Sequence, residues 1–324
     1  MGFPVQRMRR LRKNEAIRTL VRENSVSVSN LICPFFVVDG QNTREEIRTM
    51  PGNYRMSIDV LLKEIEDIRT LGINAVLLFG IPVKKDLMGT DAYSSDGIVQ
   101  RAVAKIKDRY PDLIVITDVC LCEYTEHGHC GVMQKGYLLN DESLELIAKV
   151  ALSHAQAGSD MVAPAAMLDG QIRAIRTILD NNNFHETAIM AYSAKYASKL
   201  YDLFFRDGTG GVLAYGDKRT HQMDCSNSDE AMREIALDIE EGADIIMVKP
   251  SLFYLDIVYR AKTEFKMPLA VYNVSGEFAM VNALYPHNNV DKDELCREIM
   301  TSFRRAGADM IITYHAREFA KLLQ

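Results

Sequence analysis

Four short phrases recur along the chain: LGINAVLLFG at 71–80, AGSDMVAPA at 157–165, EGADIIMVKP at 241–250 and AGADMIITY at 306–314. In each, a helical run gives way to glycine, then a small residue or Ile, then Asp or Asn, then a short apolar burst. Glycine is the usual residue just past a helix end because it adopts φ > 0 without steric cost. The burst is too short for a helix and suits a strand buried on both faces. Four more bursts fit between these phrases, LICPFFVV at 31–38, LIVITDV at 113–119, AIMAYS at 188–193 and PLAVYNV at 268–274, which makes eight candidate strands. Helical patterns such as SIDVLLKEIEDIRT, SLELIAKVALSHAQ, EAMREIALDIE and DELCREIMTSFRR separate or precede most of them. Regular alternation implies right-handed crossovers and a parallel sheet. Eight such units in 324 residues favour a closed (β/α)8 barrel over an open doubly wound sheet. No glycine-rich phosphate fingerprint follows the first strand, which also argues against a dinucleotide-binding fold.

No Pro/Gly/Ser-rich linker divides the chain, so residues 31–324 are expected to form a single barrel domain. Residues 1–30 precede the first strand, and their NEAIRTLVRE stretch reads as a short helix. That segment either packs across the barrel bottom or reaches another subunit as an arm. Its basic run, Arg7, Arg9, Arg10, Arg12 and Lys13, stands out in a chain whose net charge is −6. A mildly acidic chain is a poor default binder of nucleic acid. There is neither a membrane-length apolar run nor an apolar signal core, and a cytoplasmic protein is expected.

In such a barrel, chemistry sits at the C-terminal ends of the strands and in the loops that follow. The stretch ITDVCLCEYTEHGHCG at 116–131 falls after the third strand and holds Asp118, Cys120, Cys122, Cys130, His127 and His129. On an extended chain a spacing of two puts the Cys120 and Cys122 sulfurs on one side. Three readings compete. A disulfide would close a very tight ring and is disfavoured in a reducing setting. A structural zinc site needs four protein ligands, and a histidine would have to supply the fourth. Three ligands with one open position is the catalytic pattern, and the location favours it. Cys33, Cys225 and Cys296 are scattered and read as ordinary buried or semi-buried thiols.

Lys195 and Lys249 stand at the ends of the fifth and sixth strands. A free lysine titrates near about 10.4, so little of it is neutral at pH 7. Burial or a second ammonium depresses that value, and two neighbouring lysines would each depress the other. The product would be amines able to form Schiff bases with carbonyl substrates. Tyr272, Ser275 and Tyr314, at the seventh and eighth strands, add polar groups to the same rim.

With these residues in these places the chain closely resembles the 5-aminolevulinate dehydratases, also called porphobilinogen synthases. The matching motifs are DVCLCEYTEHGHCG, APAAMLDG, MAYSAKYAS, KRTHQMD, GADIIMVKP, VYNVSGEFAM and AGADMIITY, in order over nearly the whole chain. The resemblance implies condensation of two 5-aminolevulinate molecules to porphobilinogen in tetrapyrrole synthesis. It implies Schiff bases on Lys249 and Lys195, an active-site carboxylate at Asp118, and a catalytic zinc (Zn2+) on Cys120, Cys122 and Cys130. Members without this zinc carry Asp in place of cysteines, so the chain resembles the zinc-dependent type. Arg206, Lys218 and Gln222 match residues that close over one substrate's carboxylate, and Ser275 and Tyr314 match the grip on the other. Glu234 matches the ligand of a regulatory magnesium (Mg2+). The resemblance also implies a homo-octamer whose N-terminal arms embrace neighbours.

The chain departs from the family pattern in places. Ala165 stands where a serine is common, Phe278 where a tyrosine is common, and Lys218 where an arginine occurs, with Arg219 next to it. KLYDLFFRDG reads one residue long, which bears on the register at Phe204, Phe205 and Arg206. A single-lysine class I aldolase is the enzymatic alternative on the same barrel. It would leave Lys195 and the cysteines idle. A zinc-stabilised RNA-binding protein using the basic arm is the non-enzymatic one, and it would unfold on chelation.

Overall fold

The eight bursts form eight strands in the computed structural model, which describes residues 5–209, 211, 213–284 and 290–324, the side chains of 203–205 excepted. They are β1 (Leu31–Val38), β2 (Ala75–Ile81), β3 (Ile114–Val119), β4 (Met161–Pro164), β5 (Ala188–Lys195), β6 (Ile245–Lys249), β7 (Leu269–Asn273) and β8 (Met310–Thr313). Each runs parallel to the next in chain order, and the pairs Leu31↔Ile311 and Ile32↔Ile312 close β8 onto β1. The expected (β/α)8 barrel is therefore the fold.

Around it lie α2 (Ile58–Thr70), α3 (Ile98–Arg109), α4 (Asn140–Gln156), α5 (Gln171–Asn181), α6 (Lys199–Thr209), α7 (Asp229–Glu241), α8 (Leu255–Phe265), α9 (Ser275–Leu284), α10 (Lys292–Ala306) and α11 (Ala316–Leu322), after the short α1 (Glu15–Leu20). Two small hairpins were not foreseen. Arg44–Glu46 pairs with Tyr54–Met56 beside β1, and Val132–Gln134 pairs with Tyr137–Leu139 in the loop after β3. No helix among the described residues is long and apolar enough to cross a membrane.

Strand alternation decides which side chains enter the barrel. On β6 Ile246 and Val248 pack in one core cluster and Met247 in the other; on β7 Leu269 and Val271 divide in the same way from Ala270 and Tyr272. Two-residue periodicity therefore carries Lys249 to the side of Met247 and Tyr272, the barrel interior. On β5 the register to β6 slips by one residue: Ile246 pairs with Ala191, but Val248 pairs with Ala194 and Lys249 with Lys195. The extra residue in β5 resets the alternation. Without it Lys249 would stand level with Ala194.

The recurring phrases acquire a physical reason at the opposite rim. Gly72, Gly158, Gly242 and Gly307 all have φ between 85° and 117°, ending helices where a side chain would be strained. In three of the phrases the following Asp clasps the strand before it. Asp160 N donates to Val115 O at 3.1 Å while Asp160 Oδ2 accepts from Val115 N at 2.8 Å. Asp244 does the same with Ile189 at 3.0 and 2.8 Å, and Asp309 with Leu269 at 2.8 and 2.9 Å. Lys107 and Lys262 pair with Asp160 and Asp309 at 2.9 and 2.6 Å. The strands β3–β4, β5–β6 and β7–β8 are thus locked in register where they begin.

Residues 8–20, a 3-10 turn and α1, bury none of their side chains on this chain. Val5, Met8, Leu11, Leu20 and Val21 are exposed.

Candidate active site

The C-terminal ends of β3, β5, β6, β7 and β8 bring the expected residues together. Lys195 and Lys249 are both buried. Their Nζ atoms lie 5.3 and 5.1 Å from the ring centre of Tyr192, itself fully buried on β5. Lys249 is further enclosed by Tyr272 at 4.3 Å and Tyr201 at 5.0 Å. Burial pushes its pKa down to about 7, with Lys195 adding to the effect and Asp118 opposing it. Lys195 donates to the carbonyl oxygen of Ala165 at 2.5 Å. The position that lacks the family's hydroxyl thus still contributes a backbone acceptor.

Asp118 lies in β3, level with Ala163 of β4. Burial pushes its carboxyl well above the usual range, Glu123 pushes the same way, and Lys195 and Lys249 oppose them. Beyond Val119 the chain turns, with Tyr124 N and Thr125 N both bonded to Leu121 O at 2.9 Å, and Thr125 Oγ1 donates to His129 O at 3.0 Å. That loop folds Cys130 back onto the other two cysteines. The sulfurs of Cys120, Cys122 and Cys130 all lie within 4.8 Å of one another and are buried, with Cys120 and Cys122 3.3 Å apart. All six cysteines are free thiols, so the disulfide reading is overturned; Cys33 and Cys296 are buried as expected, whereas Cys225 is exposed. Hydrogen bonds from Cys120 and Cys122 hold the Cys130 thiol well below its ordinary value. Those with Cys122 and Cys130 push Cys120 well up.

Among the described residues, these three cysteines form the group of three or more such side chains close enough to share an ion. Tetrahedral zinc with sulfur bonds of about 2.3 Å would set sulfurs roughly 3.8 Å apart, and sulfurs that all lie within 4.8 Å of one another could gather round such an ion. The histidines serve the loop instead. His127 Nδ1 accepts from His129 N at 3.1 Å, His127 Nε2 lies 3.2 Å from Leu87 O, and His129 Nε2 lies 2.8 Å from Tyr215 O.

A cavity of about 350 Å³ is lined by Tyr201, Asp202, Lys218, Arg219, Gln222 and Cys225, among others. Neither Lys195 nor Lys249 lines it; Tyr201, which does, has its ring centre 5.0 Å from Lys249 Nζ. Lys218 feels the cysteines and Glu123, whose negative charges push its pKa well up against burial. Arg219 is turned outward and pairs with Asp217 at 2.6 Å. Arg206 lies on α6 and pairs with Asp202 at 2.8 Å. Phe204 and Phe205, where the register was in question, have side chains outside the described residues.

The buried polar atoms here that lack a hydrogen-bond partner are Gln222 Nε2, Ser275 Oγ, Glu123 Oε1, His129 Nδ1 and His221 Nε2. The first two belong to residues expected to grip carboxylates. Tyr272 and Tyr314 join hydroxyl to hydroxyl at 3.1 Å. Glu234 lies on α7, half-buried, where burial and the charges of Asp169 and Glu230 raise its pKa. It belongs to no group of three ligands among the described residues.

Tyr192, Tyr201 and Glu123 were not expected from sequence. Glu123 is buried beside Cys122 at 3.2 Å, and burial pushes it up to about 8. Its signal lay inside the cysteine stretch, hidden by the reading of that stretch as ligands. A tyrosine in a strand ordinarily reads as core, and nothing in the local pattern marks Tyr192 otherwise.

A parallel barrel with paired lysines, a buried carboxyl and three thiols at its C-terminal rim defines an α/β-barrel enzyme. The delta-aminolevulinic acid dehydratase family model matches residues 5–322. The enzyme of that name from Methanothermus sociabilis is 51% identical over 321 residues, covering 99% of both chains, and that from Bacillus subtilis (strain 168) is 48% identical over 323 residues, covering 100% of this chain and 99% of the other. The crystal structure of delta-aminolevulinic acid dehydratase (porphobilinogen synthase) from Toxoplasma gondii ME49, in complex with the reaction product porphobilinogen, superposes with a TM-score of 0.96 at 43% identity, covering 99% of this chain and 92% of that one. The chain belongs to the delta-aminolevulinic acid dehydratase family, a family of hydro-lyases. The class I aldolase and RNA-binding alternatives are set aside.

Proposed function

We propose that this chain condenses two molecules of 5-aminolevulinate to porphobilinogen and two molecules of water, with Lys249 and Lys195 each forming a Schiff base to one substrate. The observation that carries this reading is the convergence of both ammonium groups on the Tyr192 ring, at 5.1 and 5.3 Å. An amine attacks a ketone carbonyl only when neutral, and a lysine held at about 7 is substantially neutral near neutral pH. Attack releases the ketone oxygen as water. The resulting iminium acidifies the adjacent carbon, so a proton leaves there and a carbon–carbon bond can form to the other substrate; displacement of one lysine by a substrate amine and elimination of the other as the ring closes free both side chains. Asp118, kept in reach of protonation by burial, is the group proposed to carry that proton. Gln222, Lys218 and Arg206 are proposed to hold one substrate's carboxylate, and Ser275, Tyr272 and Tyr314 the other's. The unpartnered Gln222 Nε2 and Ser275 Oγ support these assignments.

Cys120, Cys122 and Cys130 would hold a zinc ion, which when bound orients and polarises a substrate carbonyl or amine as a Lewis acid. Glu234, with Asp169 nearby, is proposed for a magnesium ion. Residues 1–30 are proposed as the arm that assembles a homo-octamer, a reading supported by their exposed Met8, Leu11 and Leu20. Six free cysteines support a cytoplasmic setting.

Borohydride reduction in the presence of 5-aminolevulinate, followed by peptide mass mapping, tests the covalent step. Adducts are expected on Lys249 and Lys195; a chain that labels on neither overturns the reading.

A further inference from the structure

The strand ends that carry half of the site converge on one carboxylate that takes no part in the chemistry above. Glu277 lies in the first turn of α9 and is fully buried. Its Oε1 accepts from Ser251 N at 3.1 Å and Leu252 N at 2.8 Å, and its Oε2 from Asn273 Nδ2 at 2.9 Å and Val274 N at 3.0 Å. Asn273 Oδ1 accepts from Thr313 Oγ1 at 2.8 Å, and Thr313 Oγ1 accepts from His315 N at 3.1 Å. Ser251 closes a second link, donating from Oγ towards Tyr272 O at 2.9 Å.

These contacts are adjacent in sequence to the site. Ser251 is two residues beyond Lys249, Val274 lies between Asn273 and Ser275, and His315 follows Tyr314. One side chain thus fastens the backbone leaving β6 and β7 and, through Asn273, the backbone leaving β8. Four donors saturate the acceptor capacity of a carboxylate, about four lone-pair sites. A protonated acid or an amide in its place would turn hydrogens towards groups that themselves donate.

We propose that Glu277 is a positioning residue: its carboxyl group, held by four donors, sets the mutual register of the β6, β7 and β8 ends so that Lys249, Tyr272, Ser275 and Tyr314 meet one substrate molecule. This rests on the Schiff-base reading of Lys249. A merely structural role would make Glu277 a stabiliser of the whole barrel, with no preference for Lys249.

The test compares Glu277→Gln and Glu277→Asp with the unmodified protein. The readouts are thermal unfolding, zinc uptake by the metal-depleted chain, and the yield of borohydride-trapped 5-aminolevulinate adduct on Lys249. Glu277→Gln keeps shape but turns an amide's hydrogens towards two of the four donors, so the Lys249 adduct is expected to fall by about tenfold or more. Zinc uptake on the β3 loop should stay at the unmodified level, and Glu277→Asp, which keeps a carboxyl group, should recover part of the adduct. Loss of adduct and zinc uptake in parallel, or an unchanged adduct, overturns the proposal. If Glu277→Gln does not fold, Thr313→Val removes only the outer link and should lower the Lys249 adduct roughly threefold with zinc uptake intact; an unchanged adduct or a joint loss overturns it equally. Absence of any adduct in the unmodified protein overturns the Schiff-base reading and this proposal with it, whereas normal labelling there with an unselective variant overturns the proposal alone.

Discussion

Lys249 sits within 4.3 to 5.1 Å of three tyrosine ring centres, and aromatic faces favour an ammonium. Its pKa nevertheless comes down to about 7, so burial and Lys195 outweigh the rings. Because the folded value lies below that of the unfolded chain, this lysine opposes folding fully below about pH 7, and that penalty fades as pH rises towards its unfolded pKa. For reactivity the same value predicts that adduct formation on Lys249 climbs with pH and levels off above about 7. Rates of borohydride trapping on that peptide between about pH 5.5 and 8.5 check this; a flat profile would show the amine is not held near neutrality. Both lysines and all three cysteines were legible in the sequence because unusual residue types stood at strand ends. Tyr192 and Tyr201 were not, since an enclosing aromatic looks like any core aromatic until the fold shows what it encloses. Ala165 was legible only as a lost hydroxyl; that its carbonyl meets Lys195 depends on backbone geometry alone.

At the scale of elements, the eight strands and most helices followed from apolar periodicity and glycine punctuation. The slip in β5 did not, because an extra residue in a fully buried strand leaves an apolar run apolar. Yet that slip puts Lys195 level with Lys249 and on the same side as Tyr192. Helix α9 was also missed: SGEFAMVNAL opens on Ser-Gly and has little polar face, since five of its residues are buried. Its glycine has a steric reason. A Cβ on Gly276 would lie 1.9 Å from Leu200 O, against backbone that cannot swing away. Gly276→Ala is therefore expected to force α9 from α6 and cost about 1–3 kcal/mol, read as a lower midpoint in chemical denaturation. A variant as stable as the parent would mean that the two helices do not pack this closely.

For the molecule as a whole, closure rests on strand pairing and apolar packing. The ring of strands is completed by β8 on β1, and apolar clusters fill both sides of it. Removal of zinc by a chelator is accordingly expected to leave circular dichroism and cooperative unfolding near those of the untreated protein while turnover is lost, and added zinc should restore turnover. Unfolding on chelation would instead make the cysteine cluster a structural centre. The Asp160, Asp244 and Asp309 clasps sit at the strand beginnings, at the far end of the barrel from the lysines and thiols. Winding and chemistry are therefore separate inheritances within one chain. Loops over the mouth can drift and retune what enters, while the clasped rim keeps the staves of the barrel in step.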